Sequence, residues 1–379
     1  MKNLFRKLRA NWYNYESLIV VKIDKRALHD NYRMIKKTVG DKLKVTPVLK
    51  SNAYGHGLVE VAKIMSKEEP EFLVVDTYYE AMVIRNEGVD NKIFIIGFSH
   101  INNVLENRLN NVSFVITDLS WLEMLAKNLS HPANFHLKID TGMNRQGIEM
   151  EDLQKAIDLI KSNKNIVLEG VCSHLACADE ADQNFTKRQI KKWNSVVEKI
   201  KGEFSDLKYG HLGASSSVFY NKKIEANVMR LGLDLYGINA DEKINLDLQP
   251  VMQVETIITS IREVKKGERI GYSGSFEVNR NIKVATIPFG YFEGMDRRLS
   301  NKGYVKINGV FCPIVGRVSM NISSIDISEV EEVKVGDKVV VISANRNDKN
   351  SIENIAKICE TIPYEIMVHV ERMLRREVK

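Results

Sequence analysis

About eight short apolar runs, separated by helical stretches, recur between Val45 and Leu231. They are Val45–Leu49, Phe72–Asp76, Lys92–Ile96, Ser113–Ile116, Asn134–Ile139, Val167–Ser173, Lys208–Leu212 and Asn227–Leu231. Runs this short and this apolar suit strands buried on both faces, as in a parallel sheet. Leu58–Met65, Tyr78–Glu87, Trp121–Asn128, Glu151–Ser162 and Asn184–Lys201 carry apolar residues at helical spacing. The alternation predicts an α/β chain with an N-terminal (β/α)8 TIM-type barrel. A doubly wound open sheet would show the same rhythm. No GxGxxG follows an early strand, which weakens the dinucleotide-binding version of that sheet.

Past Gly237 the rhythm changes. Val251–Glu263 is a β-rich run, followed by the short strands Val284–Pro288, Gly303–Ile307, Phe311–Val315, Ser323–Asp326 and Lys338–Ile342, with Gly and Asn turns between them. Helical spacing returns only in Ile352–Cys359. The reading is a mostly antiparallel β domain over 241–379 after a barrel over 25–240, with residues 1–24 as a lead-in and strand. At 379 residues two domains are the natural division. Asp24 is placed to cap the helix that begins at Lys25.

Composition narrows the class. A net charge of +6 with spread-out basic residues gives no nucleic-acid signature. No window approaches ~18 consecutive apolar residues, so no membrane span is predicted. The N-terminus is basic but lacks the apolar core of a signal peptide, which makes the cytoplasm the simplest address. The four cysteines, Cys172, Cys177, Cys312 and Cys359, have no redox or zinc spacing and read as reduced thiols. No metal site is predicted.

Candidate chemistry begins at V-T-P-V-L-K-S-N-A-Y-G-H-G (Val45–Gly57). Lys50 falls at the carboxyl end of the first barrel strand, where barrels place their reactive groups. A walled pocket there would desolvate the amine and favour its neutral, nucleophilic form. Gly55 and Gly57 allow close backbone approach to a ligand. A surface lysine after a strand is the plain alternative. The whole stretch closely resembles the lysine loop of alanine racemases, which are pyridoxal-phosphate (PLP) enzymes. The resemblance extends over nearly all of the chain after about residue 15. It implies that Lys50 carries the cofactor as a Schiff base and that Tyr54 lies against its phosphate.

Further motifs fit the same family. H-L-K-I-D-T-G-M-N-R-Q-G (His136–Gly147) matches K-x-D-T-G-M-x-R-x-G, which implies that Arg145 contacts the phenolic oxygen of the cofactor and also serves the substrate. Lys138 falls on a position often carbamylated in the family. C-S-H-L-A-C-A-D-E (Cys172–Glu180) implies a place beside the cofactor for His174, although a lone histidine after a strand is more often structural. Aligned on His211, H-L-G-A-S-S-S puts Ser215 on the phosphate-binding serine, with Ala214 where relatives usually have Asn. M-R-L-G-L-D-L-Y-G (Met229–Gly237) implies that Arg230 meets the pyridine nitrogen while the backbone of Gly232 and Leu233 meets the phosphate.

An arginine at the ring nitrogen has a chemical consequence. Unlike a carboxylate, it cannot accept the ring proton. The ring stays neutral and is a weaker electron sink, which suits Cα proton exchange over decarboxylation or transamination. Racemisation also needs an acid–base group on each face of Cα. R-I-G-Y-S-G-S-F (Arg269–Phe276) resembles the family segment carrying the second base, which implies Tyr272 for the L-enantiomer and Lys50 for the D-enantiomer. In the family that tyrosine comes from the other subunit, so a head-to-tail homodimer with shared sites is implied.

P-I-V-G-R-V-S-M-N (Pro313–Asn321) implies a backbone contact from Met320 to the substrate carboxylate, with Asn321 where relatives commonly have Asp. T-I-P-Y-E-I-M (Thr361–Met367) implies that Tyr364 lines the phosphate pocket, and Tyr291 falls near the site entrance. The expected activity is interconversion of L- and D-alanine, feeding D-alanine to peptidoglycan. A racemase of serine, or of a broader or basic amino-acid range, is the competing reading. A decarboxylase on this architecture would carry a carboxylate at position 230. A non-enzymatic cofactor holder would match only the barrel half.

Overall fold

The computed structural model describes residues 15–178, 180, 182–215, 223–240 and 246–379. Most of the predicted lead-in, Asp179, Ser216 and Ser217 lie outside these residues. The chain divides into two compact units, one formed by residues 24–251 with the last two residues, the other by the segment ending at Ile23 together with 252–377.

In the larger unit, α1 (Lys25–Val39) starts where the Asp24 carboxylate accepts from the Ala27 N–H at 2.9 Å. Its buried face is Ala27, Leu28, Asn31, Tyr32, Ile35 and Val39, the one-sided stripe that packs a helix onto a sheet. Eight parallel strands follow: β2 (Lys44–Pro47), β3 (Leu73–Val75), β4 (Ile93–Ile95), β5 (Val112–Ile116), β6 (Ala133–Lys138), β7 (Ile166–Cys172), β8 (Tyr209–His211) and β9 (Val228–Leu231). Strands β3 to β8 pair in chain order, and β2 pairs with β9. Val48, just past β2, bridges to Val74 in β3, while the Asn227 and Arg230 N–H groups donate to the Gly210 and Gly213 carbonyls at 3.1 and 3.2 Å. The ring of strands is thereby closed, and the barrel read from the alternation is the fold.

The intervening helices are α2 (Leu58–Met65), α3 (Tyr78–Asn86), α4 (Ile101–Leu105), α5 (Leu119–Asn128), α6 (Leu153–Ser162) and α7 (Asn184–Glu203). The five-residue α4 has too little periodicity to show in the sequence. α3 carries a full capping box, with Thr77 and Glu80 each bonding the other's backbone N–H.

The second unit is antiparallel. β1 (Val20–Ile23) sits beside β10 (Met252–Ile257), whose alternating burial fits a sheet with one covered face. The β-rich run after Val251 is two strands, β10 and β11 (Ser260–Val264), and not one. β12 (Arg269–Ile270) and β13 (Phe276–Glu277) form a short hairpin. β11 pairs with β14 (Ile282–Ile287). β15 (Tyr304–Ile307) and β16 (Val310–Pro313) form another hairpin, β14 pairs with β17 (Ser323–Asp326), and β10 pairs with β18 (Lys338–Ile342). The chain ends with α8 (Ile352–Ile358), α9 (Pro363–Val368) and β19 (Arg375–Val378), an edge of the six-stranded sheet. The Thr361–Met367 motif is therefore largely helical, with Pro363 at the first helical position, where its missing N–H costs nothing. Among the described residues no helix is long and apolar enough to cross a membrane.

Candidate active site

The site residues of the barrel unit gather at the carboxyl ends of its strands. Lys50 lies three residues past the end of β2 and opens a turn in which Ser51, Asn52, Ala53 and Tyr54 all have left-handed φ, between 51° and 57°. Each such residue costs about 1–2 kcal/mol when it carries a side chain. Specific bonds hold the turn. Ser51 N–H donates to Glu80 Oε1 at 2.7 Å, Leu58 N–H to Asn52 Oδ1 at 2.9 Å and Ala53 N–H to the Leu49 carbonyl at 2.8 Å. Glu80 also accepts from the Asp76 N–H at 2.8 Å, so one carboxylate ties the lysine loop to the loop after β3. Strain held this firmly in a loop at the carboxyl end of a barrel strand is a mark of functional sites.

The Lys50 amine stands 3.7 Å from the Asp76 carboxylate, and its side chain is 40% exposed. In the single chain the loop presents the lysine to solvent with an acidic neighbour. Tyr54 is buried, packs in a tilted arrangement 5.0 Å from the Tyr236 ring, and directs its hydroxyl toward Gly232. A Cβ at Gly232 would lie 3.1 Å from Tyr54 Oη and 3.8 Å from Ser215 Oγ. Ser215 Oγ accepts from the Gly232 N–H at 3.0 Å and from the Asp234 N–H at 3.5 Å. Tyr54, Ser215 and Gly232 thus form a small hydroxyl-lined hollow that a side chain at position 232 would fill. Leu233 follows, buried, at the head of a 3-10 turn.

Arg230 lies in β9 and is almost fully buried. Such a charge demands partners. The terminal nitrogens find them in the Ser173, His211 and Leu212 carbonyls at 2.7, 2.8 and 3.1 Å, in His211 Nδ1 at 2.5 Å and in His174 Nδ1 at 3.3 Å. Every one of these partners is a neutral acceptor. A guanidinium has five N–H groups, so Nε–H is the donor left over for a ligand. His174 is held neutral: burial, then Arg230, Arg145 and Lys138, push it down to about 3. His211 is driven well below the ordinary histidine value, by burial first and then by Arg230.

Lys138, at the end of β6, is buried with Nζ donating to Gln146 Oε1 at 3.2 Å. Burial lowers its pKa, and the nearby charges of Arg230, Arg145 and Lys50 lower it further. Arg145 is exposed on the loop after β6. That loop is shaped by Asp140, which accepts from the Gly142 N–H at 2.7 Å and the Arg145 N–H at 3.2 Å.

The other sequence-derived residues lie in the antiparallel unit. Tyr272 is 69% exposed, on a turn between β12 and β13. That turn needs Gly271 at φ 76°, where a Cβ would also crowd the Arg317 backbone N at 3.0 Å. Met320 and Tyr291 are exposed on two loops zipped together, with the Tyr291 N–H donating to the Ser319 carbonyl at 3.0 Å and the Phe292 N–H to the Met320 carbonyl at 2.9 Å. Asn321 Nδ2 donates to the buried Glu293 at 2.6 Å, and Glu293 also accepts from the Gly290 N–H at 2.8 Å. Tyr364 lies in α9.

Comparison with known proteins gives this geometry a family. The sequence profile of the alanine racemase N-terminal domain matches residues 23–240, and that of the C-terminal domain matches residues 251–378. The chain belongs to the alanine racemase family. Among alanine racemases, "Alanine racemase 2" of Caldanaerobacter subterraneus subsp. tengcongensis is 34% identical over 362 residues, covering 94% of this chain and 93% of the relative. The crystal structure of alanine racemase from Bacillus anthracis with bound L-Ala-P superposes with a TM-score of 0.90 at 28% identity, covering 97% of this chain and 96% of that one. That of alanine racemase from Bartonella henselae with covalently bound pyridoxal phosphate gives 0.83 at 25% identity, covering 96% and 100%.

Sequence reading missed several residues that complete the site. Asp76 and Glu80 set the lysine loop. His136 and His211 stand at the heads of two motifs whose other residues carry the expected roles, and Glu169 lies outside every motif. The available signal was a charged residue followed by glycine, Glu169–Gly170, inside an otherwise apolar strand run.

Proposed function

We propose that this chain is a PLP-dependent racemase that interconverts L- and D-alanine by two-base proton transfer at Cα. The observation that carries the reading is Arg230, a buried guanidinium surrounded by neutral acceptors with Nε–H left over. A ring nitrogen is a fitting partner for that donor, and a donor that cannot take up a proton favours proton exchange over decarboxylation. The hollow beside Gly232 suits a phosphate, with hydroxyls from Tyr54 and Ser215 at its wall. The residues present thus fit pyridoxal phosphate. Lys50 would hold it covalently, Tyr54, Ser215, Gly232, Leu233 and Tyr364 its phosphate, Arg230 its ring nitrogen and Arg145 its phenolic oxygen, with His174 alongside.

When bound, the cofactor supplies an electron sink that acidifies the Cα–H of an attached amino acid. Lys50 then exchanges the proton on one face of Cα and the Tyr272 hydroxyl on the other, Lys50 acting on the D-enantiomer and Tyr272 on the L-enantiomer. Tyr272 would reach the site from a partner subunit in a head-to-tail homodimer, and Arg145 and the Met320 backbone would orient the substrate carboxylate. Lys138, buried among three cations, would gain from carbamylation, which replaces its positive charge by a negative one. A cytoplasmic enzyme supplying D-alanine for cell-wall peptidoglycan is the corresponding role.

The test is solvent exchange. Purified protein with PLP is incubated in D2O with L-alanine, L-serine or L-lysine, and loss of the Cα proton signal and enantiomer ratio are followed. Exchange with racemisation, fastest for alanine, supports the reading. Faster turnover of serine or lysine moves the substrate, carbon dioxide release replaces the reaction type, and no exchange with bound PLP overturns the enzyme assignment for these substrates.

A further inference from the structure

Behind Arg230 a line of buried polar side chains runs through the barrel interior. Arg230 donates from β9 to His211 Nδ1 on β8 at 2.5 Å. His211 Nε2 lies 2.7 Å from His136 Nδ1 on β6. His136 Nε2 is 3.3 Å from Glu169 Oε1 on β7. Glu169 also accepts from Ser113 on β5 and from the amine of Lys92, just before β4. His136 and His211 are fully buried, and Glu169 nearly so.

The order of protons along this line follows from its first member. A guanidinium can only donate, so His211 Nδ1 accepts and the proton of a neutral imidazole must sit on Nε2. That proton points at His136 Nδ1, which accepts it in turn, and the second imidazole carries its own proton on Nε2, toward the Glu169 carboxylate. Every group has one role, and reversing any one would bring two donors or two acceptors face to face. Sequence and packing protect the arrangement. A Cβ at position 170 would come within 2.5 Å of the His136 ring, so Gly170 makes room for it. Phe94 stacks on that ring at 4.2 Å. Burial lowers the pKa of both imidazoles, consistent with neutral rings. Burial raises Glu169, but the bonds from His136, Lys92 and Ser113 outweigh it and hold the carboxyl at about 2.

We propose that Glu169 is a positioning residue for Arg230, acting through His136 and His211, whose neutral Nε2–H tautomers fix the guanidinium and aim its Nε–H at the cofactor ring nitrogen. The last clause rests on the function proposed above; the tautomer order does not. A second positive charge beside Arg230 is excluded, because a protonated His211 could no longer accept from it. A bare structural ion pair between Lys92 and Glu169 would not require either imidazole to adopt a particular tautomer.

Two measurements test this. In the full-length protein without cofactor, 15N-histidine NMR at neutral pH should find His136 and His211 neutral with protons on Nε2, the pair being recognised by the coupling across their mutual hydrogen bond. A cationic ring, or a proton on either Nδ1, overturns the proposal and needs no variant. Next, E169Q and the unaltered protein are titrated with PLP and with its deaza analogue, in which C–H replaces the ring nitrogen. E169Q should weaken PLP about tenfold and leave the analogue unchanged. Equal losses for both ligands, or no loss for either, overturn the positioning role. Failure of the unaltered protein to bind PLP at all would instead strike the proposed function, while the NMR result stands by itself.

Discussion

The two units meet the cost of polar side chains in opposite ways. In the barrel, Arg230 is buried and its terminal nitrogens meet only internal acceptors, with His211, His136 and Glu169 extending the pairing away from the site. In the antiparallel unit, Tyr272, Met320 and Tyr291 stand exposed on loops whose backbones are closely braced by neighbours, at Gly271 and along Ser319–Asn321. Around Arg230 the side chains are fixed by burial, whereas on these loops the backbone is fixed and the side chains stand outward. The first design suits groups that must not change protonation, the second groups that await a partner surface or substrate.

The contrast can be broken most severely at Lys50. Lys50→Ala should abolish both turnover and cofactor absorbance, a loss beyond the ~10²–10⁴-fold expected for an acid–base group alone, since attachment is lost as well. Retention of both in assays of the variant would end the cofactor assignment. Tyr272→Phe sits in the outward-facing region and should cut racemisation about 10²–10⁴-fold. Because the equilibrium is fixed, both directions must fall together in kcat/KM. Cα exchange of D-alanine in D2O without inversion should persist through Lys50, and PLP affinity should hold; loss of that exchange, or an unchanged racemisation rate, would remove Tyr272 from its role.

Smaller effects sharpen the comparison. Gly232→Ala would place a methyl 3.1 Å from Tyr54 Oη and fill the hollow. Its PLP affinity should fall about tenfold, roughly 1.4 kcal/mol, in a variant whose cofactor-free circular dichroism still shows the native fold. Unchanged affinity on titration would place the phosphate elsewhere. Asn321→Asp would set a second carboxylate against Glu293, whose present contact is 2.6 Å. The variant should lose about 1–3 kcal/mol at neutral pH. The pair would have a raised folded pKa, so the deficit should be present above that value and shrink as pH falls through it. A deficit independent of pH in urea titrations would rule out charge repulsion as its cause.

For the unaltered protein the sign runs the other way. His174, with a folded pKa of about 3, opposes protonation that the unfolded chain accepts near 6.5. Glu169, at about 2, contributes stability that is present above its ordinary value of 4.5 and lost as pH falls toward 2. Both therefore make acid destabilising, first from about pH 6.5 down and then below about 4.5. A flat unfolding free energy across this range, measured by circular dichroism in urea, would contradict the buried pairing.

The sequence alone determined the barrel, because eight short apolar runs with helices between them can bury their strands in few other ways. It also carries the residues on which the proposed chemistry rests, since Lys50, Arg230 and Tyr272 stand in local motifs whose residue types and spacing are written along the chain. Tertiary structure decided which groups face one another. His136, Glu169 and His211 come from three different strands, and only their parallel register makes them a line. The left-handed turn after Lys50 depends on Glu80, which lies 29 residues away from Ser51. Backbone strain and proton order both rest on partners distant in sequence, and no local pattern records a partner that the fold has yet to bring near.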